Sequence, residues 1–576
     1  MLAEGRREGP GTIGFARLPK SAVSADRPHP RDVTDKPRNQ KLTAVFEVLD
    51  DSGVGLSDGE ALLDDRERRL VEGAANFYAL AGPGQTFRLT VLRGPAGTMP
   101  ALTDEERTTI EWEDDHEVVG SLVVRSLMHT IADHPPSDGL VDIAVDIGGP
   151  PATINAYDQL RGVLGKARKA VRFLAPVQFD ALRQFRTDMV ERKGRDVPRK
   201  APIRLTRGAT ANPHGDTPAI LFGLHWLELG GAERWAIDTI RLAKEAGFLP
   251  IVVTDRDSPH EWITRPELDG ALIVPLTVPM DPKQESAFLN GLLSAFDVRG
   301  IHLHHCTWLY DKLPWIKSVR PDIPVVDSLH VLEWRTGGFV DISVRLSNMV
   351  DQHHVISPQL RDYLVGKHGL PEDKVVLATL AGLTTGSIAV GGGEDVESNP
   401  FTVAFVGRFT QQKRPYLFLQ LAAELKKNSP RDVRFIVHGH GELAAEVNSL
   451  RARLGDTVEL RGPDHPVSDT FRDSDVLVVS SDNEGLTLTS FEATAAGVPV
   501  VSADVGSQSS LIADDLLCPR HPYAFIQAAA ARIRTMMTSP DQRKTWLDEQ
   551  AAKAEAFAKL PRAEDWTRDL YQGWLK

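Results

Sequence analysis

The sequence predicts an α/β protein in which two Rossmann-like, doubly wound domains follow one another along the chain. Short apolar, β-branched runs alternate with helix-length segments from residue 218 onward, the pattern of a parallel sheet with helices on both faces. A glycine-rich, acidic stretch at 388–400, IAVGGGEDVESNP, interrupts this series and predicts an interdomain hinge. The length of 576 residues also exceeds what one hydrophobic core supports.

Each domain is predicted from a series of strands in chain order. The first series is PAILFGL, LPIVVTD, ALIVPL, GIHLHHC, IPVVDSLH, QHHVISP and KVVLATL. The second is FTVAFVG, VRFIVHG, DTVEL, DVLVVSS and VPVVSA. The two domains are assigned to residues 215–390 and 400–550. Residues 551–576 are predicted to form a C-terminal helix that packs back on the core. Ligands of such folds bind between the domains, at the carboxyl ends of the strands.

The first 214 residues divide into three segments. Residues 1–40 lack periodicity and predict an extended or disordered N-terminus. Four strand-like runs and the helical run DDRERRLVEGAANFYALA predict a small α/β accessory domain over 41–150. A basic helical segment and a linker are predicted over 151–214, because 151–210 hold fourteen Lys and Arg against five Asp and Glu. Such a helix can contact anionic lipid at the membrane surface, and the alternative is an ordinary packed helix with a solvated basic face.

Composition limits the class of protein. A net charge of −13 argues against a nucleic-acid partner, because phosphate binding needs an excess of Lys and Arg. The two cysteines, Cys306 and Cys518, build neither a disulfide framework nor a cysteine zinc site, which fits a reducing compartment. The N-terminus lacks the apolar core of a signal peptide, and no apolar run is long enough to span a bilayer. A cytoplasmic protein is expected, with at most peripheral contact at the inner face of the membrane.

Two loops at the ends of predicted strands offer anion-binding groups. In LELGGAERWAIDTIRLA, Gly230 and Gly231 open a helix, so bare amides can meet a phosphate or sugar oxygen; the alternative is a simple tight turn. In VAFVGRFTQQKRP, a buried strand ends at Gly407, and Arg408 and Lys413 follow it. Two cations at the C-terminal end of a strand suit a diphosphate, and the alternative is ordinary surface charge.

The third loop, NEGLTLTSFEATAAGVPVV, carries two carboxylates. Glu484 follows the strand DVLVVSS, and Glu492 lies in the helix that Thr487 or Thr489 begins. A carboxylate accepts two hydrogen bonds from a vicinal diol, so the spaced pair can hold the hydroxyls of a ribose and of a second sugar. The helix amides after Gly485 face the intervening phosphates.

The motifs GGAER, GRFTQQKRP and EGLTLTSFEATAAGVPVV, in this order, resemble the retaining nucleotide-sugar glycosyltransferases of family 4, over roughly 215–550. The resemblance implies the GT-B fold, no permanently bound cofactor and no metal. It implies a UDP- or GDP-sugar as the donor and a glycan or lipid-linked molecule as the acceptor. The commonest setting of such enzymes is the synthesis of bacterial surface polysaccharide, lipopolysaccharide or cell-wall glycan.

The resemblance also implies residue roles. Glu492 holds the ribose, Glu484 lies near the donor-sugar hydroxyls, and Arg408 and Lys413 bind the diphosphate and stabilise the leaving charge. The turn in VHGHGEL lines the base pocket. The implied nucleotide-sugar-binding residues are Gly230, Gly231, Gly439, Gly441, Gly485, Leu486, Thr487 and Glu492.

His330, which ends the strand IPVVDSLH, stands where the family often has a histidine beside the transferred sugar. His302, His304 and His305 are its rivals. Thr487 departs from the family pattern, in which a proline or small residue is common, and this change is expected to affect loop stiffness more than chemistry.

The sequence DSD at 473–475 resembles the metal-binding Asp-x-Asp of the other glycosyltransferase fold. That interpretation is rejected because Asp475 introduces a buried strand and the cationic pair takes the place of a metal.

The predicted activity is transfer of a sugar from a nucleotide diphosphate sugar to an acceptor hydroxyl with retention. No carboxylate nucleophile is evident, which favours a same-face substitution over a glycosidase-like mechanism. One alternative is a nucleotide-sugar epimerase or phosphorylase of the same fold. The other is a non-catalytic sugar-binding or scaffold protein.

Overall fold

Three β-sheets organise the part of the chain that the structure describes. The computed structural model describes residues 45–56, 62–103, 115–128, 139–150, 171–192, 216–228, 230–277, 280, 282–333, 337–380 and 400–576. Leu42–Lys576 form one compact unit. The predicted N-terminal segment 1–40, much of the basic helical segment and linker predicted over 151–214, and most of the hinge at 388–400 lie outside the described residues.

The first sheet has four strands in the order β1-β3-β2-β4, with β3 antiparallel to both of its neighbours and β2 parallel to β4. Helix α1 begins after Asp64, whose carboxylate accepts a hydrogen bond from the Glu67 amide at 2.7 Å. The elements are β1 Phe46–Ser52, α1 Asp65–Ala81, β2 Thr86–Arg93, β3 Glu117–Ser126 and β4 Leu140–Asp146, followed in the chain by α2 Pro176–Arg192.

The second sheet has seven parallel strands in the order β11-β10-β9-β8-β5-β6-β7. Its strands are β5 Pro218–Leu224, β6 Leu249–Thr254, β7 Leu272–Pro275, β8 Asp297–His304, β9 Val325–Leu329, β10 Gln352–Val355 and β11 Val375–Leu377. Its helices are α3 Gly231–Glu245, α4 Pro282–Ala295, α5 Thr307–Val319, α6 Gly338–Arg345 and α7 Pro358–Asp362.

The third sheet has six parallel strands in the order β14-β13-β12-β15-β16-β17. Its strands are β12 Phe401–Val406, β13 Val433–His438, β14 Val458–Arg461, β15 Val476–Val479, β16 Val500–Ala503 and β17 Leu517–Cys518. The helices are α8 Pro415–Asn428, α9 Ala444–Leu454, α10 Val467–Arg472, α11 Leu488–Ala495, α12 Pro522–Thr538, α13 Pro540–Ala558 and α14 Ala563–Trp574.

The two parallel sheets confirm the predicted doubly wound architecture. Each apolar run named above overlaps one strand, because a strand covered on both faces needs an almost unbroken series of apolar, β-branched residues. The short edge strand β17 was not predicted, since two residues carry no periodicity.

The accessory sheet shares one hydrophobic core with the seven-stranded domain. Helix α1 packs beside edge strand β7, where the Asn76 amide donates to the Ile273 carbonyl at 3.1 Å. It also meets α4 so closely that a Cβ at Gly291 would lie 1.9 Å from the Leu80 carbonyl oxygen. Helix α1 and the four-stranded sheet thus cover the β7 edge of the seven-stranded sheet. The accessory unit therefore packs as a part of the first Rossmann-like domain.

Two helices pack away from their neighbours in sequence. Helix α14 returns to the seven-stranded domain, where the Tyr571 hydroxyl lies 2.7 Å from His302 Nδ1. Helix α2 instead joins the six-stranded domain, with Val177 buried in that core.

Candidate active site

Strands β12 and β15 are hydrogen-bonded neighbours, so the loops that follow them meet at one edge of the sheet. Lys413 from the first loop donates to both carboxylate oxygens of Glu484 from the second, at 2.6 and 2.8 Å. The Glu484 side chain is only 5% exposed, whereas that of Lys413 is 24% exposed. A cation with solvent access is thus held by a buried carboxylate at the strand ends.

The two loops are also joined through their backbones. The Asp482 amide donates to the Gln412 carbonyl at 2.7 Å, and the Gln412 side-chain amide donates to the Asn483 carbonyl at 2.9 Å. The Ser480 hydroxyl donates to the Lys413 carbonyl at 3.0 Å. Lys413 and Glu484 therefore belong to one cross-linked unit.

Arg408 lies in the first loop and is exposed. Among the described residues, none forms a hydrogen bond or an ion pair with its guanidinium. Burial raises the pKa of the nearby Glu442 carboxyl, and Arg408 is one of the groups that oppose the rise. The guanidinium is thus available to an anion at the same loop as Lys413.

Gly485 and Leu486 make contact with the other domain. A Cβ at Gly485 would lie 1.9 Å from the carbonyl oxygen of His330, at the end of β9, so only glycine permits this approach. Leu486 packs against both hydrophobic cores. The Ser507 amide and hydroxyl both donate to the Gly485 carbonyl, at 3.0 and 2.6 Å, and hold the loop in place.

His330 is 3% exposed, and its Nε2 atom has no hydrogen-bond partner among the described residues. Burial lowers the pKa of His330 well below its ordinary value, with a further contribution from His305. The ring is therefore neutral near pH 7 and acts as a hydrogen-bonding group rather than as a cation.

The three rival histidines have neighbours of their own. His302 bonds Tyr571 and, through Nε2, the Ser328 hydroxyl at 2.9 Å, while His304 Nε2 lies 3.0 Å from the Thr239 hydroxyl. His305 meets His330 edge to face, with ring centroids 5.3 Å apart. His302 thus lies within β8 with both ring nitrogens bonded, whereas His304, His305 and His330 lie at strand ends.

The glycine pair before α3 has two different environments. A Cβ at Gly230 would lie 1.9 Å from the Glu233 carboxylate, whereas a Cβ at Gly231 would have no atom within 4 Å. Burial acts to raise the pKa of Glu233, but hydrogen bonding and charge from His225 bring it down to about 2. Gly230 therefore makes room for a folded-back carboxylate, and Gly231 leaves open space at the helix start.

Glu492 and Arg234 belong to different domains. Thr487 is the N-cap of α11, and Glu492 lies in the second turn. Burial raises the pKa of Glu492, and the exposed Arg234, in the first turn of α3, opposes the rise. Arg234 was not predicted as a site residue, although it belongs to the motif GGAER. The signal was its place in the helix turn after the glycine pair.

Gly439 and Gly441 are required by a neighbouring loop. Both have positive φ, of 152° and 144°. A Cβ at Gly439 would lie 2.0 Å from the Gly407 carbonyl oxygen, and one at Gly441 would lie 2.8 Å from that of Phe409. These glycines let the turn press against the loop that carries Arg408; their role in base binding stays a prediction.

Two more polar atoms near Glu484 are buried without a partner among the described residues, namely Asn483 Oδ1 and Thr487 Oγ1. Unpaired buried polar groups are rare, because each loses its hydrogen bonds to water. Together with His330 Nε2 they offer donors and acceptors to a polar ligand. A sugar or phosphate has groups suited to them.

The carboxylates of the DSD sequence have partners within the fold. Asp473 accepts from Arg461 Nη2 at 2.6 Å, and Asp475 accepts from the Thr402 amide at 2.8 Å. These bonds give both side chains a structural role.

Two stretches of the chain match known sequence families. Residues 229–378 match the family described as Glycosyltransferase Family 4, and residues 400–535 match the family described as Glycosyl transferases group 1. The matches contain the motifs GGAER, GRFTQQKRP and EGLTLTSFEATAAGVPVV and most of each Rossmann-like domain.

Relatives and solved structures give further matches. The chain is 27% identical over 329 residues to the D-inositol 3-phosphate glycosyltransferase of Kineococcus radiotolerans, covering 48% of this chain and 73% of the relative. It is 26% identical over 333 residues to the protein of the same name from Stackebrandtia nassauensis, covering 50% and 74%. The Anabaena protein HepE, solved with UDP and glucose, has 16% identity and a TM-score of 0.46, covering 62% of this chain and 99% of its own.

Proposed function

We propose that the chain, a GT-B glycosyltransferase, moves a sugar from a nucleotide diphosphate sugar to an acceptor hydroxyl with retention. The observation that carries the proposal is the Lys413–Glu484 pair, at the ends of two adjacent parallel strands and beside the interdomain contact of Gly485 with His330. A partly exposed cation over a buried carboxylate suits a phosphate linked to a hydroxyl-rich ring.

In the proposed mechanism the leaving phosphate takes the proton of the acceptor hydroxyl on the same face of the sugar. Lys413 and Arg408 stabilise the charge that develops on the diphosphate. Glu484 binds donor-sugar hydroxyls, and Glu492 binds the ribose. The neutral His330 ring hydrogen-bonds the transferred sugar through Nε2.

The finer assignments are also proposals. The donor carries UDP or GDP, and the acceptor is a glycan or a lipid-linked molecule in bacterial surface polysaccharide, lipopolysaccharide or cell-wall glycan synthesis. The names of the relatives add a polyol phosphate, inositol 3-phosphate, as an acceptor to test. The proposed compartment is the cytoplasm.

A panel of UDP-glucose, UDP-N-acetylglucosamine, GDP-glucose and GDP-mannose tests the proposal by thermal shift and by product analysis. A true donor raises the melting temperature, because it binds only the folded chain. Transfer to an acceptor with retained anomeric configuration supports the proposal. A changed nucleotide sugar formed without any acceptor would favour an epimerase, release of a sugar phosphate from a glycan would favour a phosphorylase, and binding without turnover would favour a scaffold.

Gly231→Ala separates the two interpretations of the glycine pair. Because the new methyl group meets no atom within 4 Å, the melting temperature is expected to stay the same or rise. If donor or acceptor approaches the backbone here, kcat/KM falls by at least about tenfold. Gly573→Ala, at another helical glycine with no atom within 4 Å, is the matched control. Unchanged kcat/KM in Gly231→Ala would leave only the tight-turn interpretation.

We also propose peripheral membrane contact through the basic segment. Leu182 and Phe185, three residues apart on α2, are 61% and 58% exposed, and Val171 and Leu174 on the preceding helical turn are 51% and 67% exposed. Exposed apolar side chains in a basic segment fit an anionic lipid surface. Among the described residues, no helix is both long enough and apolar enough to cross a bilayer.

Cosedimentation with phosphatidylglycerol-containing vesicles tests this contact. Binding that weakens with salt is expected, and Leu182→Glu with Phe185→Glu should reduce the bound fraction about tenfold or more. Leu62→Glu, at an exposed leucine of the accessory unit, is the control. Absence of binding to either kind of vesicle would favour the packed-helix alternative, and equal binding to pure phosphatidylcholine vesicles would exclude a role for the basic charge.

A further inference from the structure

Arg414, the residue after Lys413, has a completely buried guanidinium. It donates to the carbonyl oxygens of Ser480 at 2.5 Å, Ser481 at 2.8 Å and Arg520 at 2.9 Å. Ser480 and Ser481 immediately follow β15, so this one side chain ties the Lys413 loop to the start of the Glu484 loop. These contacts place a full positive charge in the protein interior.

Among the described residues, the carboxylate within hydrogen-bond distance of this charge comes from α2, which precedes both Rossmann-like domains in the sequence. Asp180 on α2, also completely buried, accepts from Arg414 Nη1 at 3.3 Å, and the nearest Asp482 oxygen lies farther away, at 3.9 Å. A buried guanidinium needs a close counter-charge, because removal of one partner leaves the other desolvated and uncompensated. Helix α2 thus supplies the counter-charge for the arginine that joins the Lys413 loop to the Glu484 loop.

Arg183, one turn further along α2, reaches the second loop. Its Nη2 atom lies 3.2 Å from Asp180 Oδ1 and 3.0 Å from Asp482 Oδ2. Asp482 stands two residues before Glu484. The four side chains, of which only Arg183 is partly exposed at 29%, form a chain of ion pairs from α2 to both sides of the Lys413–Glu484 pair.

We propose that Asp180 and Arg183 are positioning residues for glycosyl transfer, acting through Arg414 and Asp482 to hold Lys413 and Glu484 in place. This role rests on the proposed function. The two loops are already joined by a backbone hydrogen bond, so they meet without any help from α2. The role of α2 is to fix the position and orientation of the loop that carries Lys413. Preorganised donors lose much of their effect when shifted by a fraction of an ångström to one ångström.

Asp180→Asn in the full-length enzyme is the first test, because asparagine keeps the shape and removes the charge. With the panel member that supports turnover, kcat is expected to fall about 10- to 100-fold with an unchanged acceptor KM. UDP or GDP, titrated by calorimetry, is expected to bind several-fold more weakly. Asp180→Glu should restore part of the activity, and Arg186→Gln, at an exposed arginine of the same helix, should match the wild type.

A double variant distinguishes positioning from general stabilisation. If Asp180 acts through Lys413, then Asp180→Asn adds no more than about a threefold further loss in a Lys413→Ala background. A purely structural role would multiply the two losses, and that result would overturn the proposal. If Asp180→Asn does not fold, Arg183→Gln replaces it in the same cycle, since this side chain is 29% exposed and its loss costs less stability.

The activity of the wild-type enzyme distinguishes failure of the proposed function from failure of the positioning role. No sugar transfer by the wild type, with any donor, would reject the proposed function. A wild type that transfers sugar while both Asp180→Asn and Arg183→Gln retain its kcat and its nucleoside diphosphate affinity would reject the positioning role alone.

Discussion

Lys413→Ala is expected to lower kcat by about 10²- to 10³-fold, the scale for losing one preorganised group that stabilises developing charge. Lys413 is the cation that pairs with the buried Glu484, and its replacement by alanine removes the positive charge. Donor affinity should fall less than kcat, because the charge on the leaving diphosphate is larger in the transition state than in the bound donor. Steady-state kinetics give kcat, and calorimetric titration with the nucleotide sugar in the absence of acceptor gives the donor affinity.

Lys427→Ala is the matched control, since Lys427 is an exposed lysine on α8, the helix that follows the same loop. It should retain the wild-type kcat. The assignment of Lys413 would be wrong if its alanine variant, folded and with a wild-type melting temperature, turned over at more than about one third of the wild-type rate.

Gly485→Ala is expected to reduce kcat/KM by about 100-fold. The added Cβ would lie 1.9 Å from the His330 carbonyl oxygen, whereas ordinary contacts require well over 3 Å. The loop of Glu484 or the whole contact between the domains must therefore shift by at least about 1 Å, a displacement that costs on the order of 100-fold in rate when it misplaces catalytic groups. Because the collision lies between two domains, the effect on activity should exceed the effect on stability.

Gly366→Ala controls for the general effect of adding a methyl group, because no atom lies within 4 Å of its Cβ position. Kinetics and thermal melts of both variants are compared. Near-wild-type kcat/KM in Gly485→Ala would mean that this close contact is absent from the state that turns over substrate.

Much of the fold was predictable from local patterns. Alternating apolar runs and helix-length segments identified both parallel sheets, and the strand ends located the loops of Arg408, Lys413 and Glu484 before any contact was known. The pairing of Lys413 with Glu484 follows from the adjacency of β12 and β15, which the run of strands alone does not state. The fold class and the family resemblance were confirmed, while the residue roles stay predictions.

Other features had no local signal. Asp180 and Arg183 belong to a segment in which only basic charge stood out, and nothing near them in sequence indicates Arg414 or Asp482 as partners. The close contact of Gly439 and Gly441 with the loop at 407–409 also had no local signal, and the predicted role of these glycines in base binding stays a prediction.

By itself, the sequence determined the element types, the parallel sheets and the chemical groups at the strand ends, because periodicity and residue type act over a few neighbouring positions. Tertiary structure decided that the accessory sheet shares a core with the first domain and that a distant helix neutralises a buried arginine between the two site loops. Such contacts join residues hundreds of positions apart, and each charged side chain has many partners compatible with its type. Only the packing of the whole chain selects one of them.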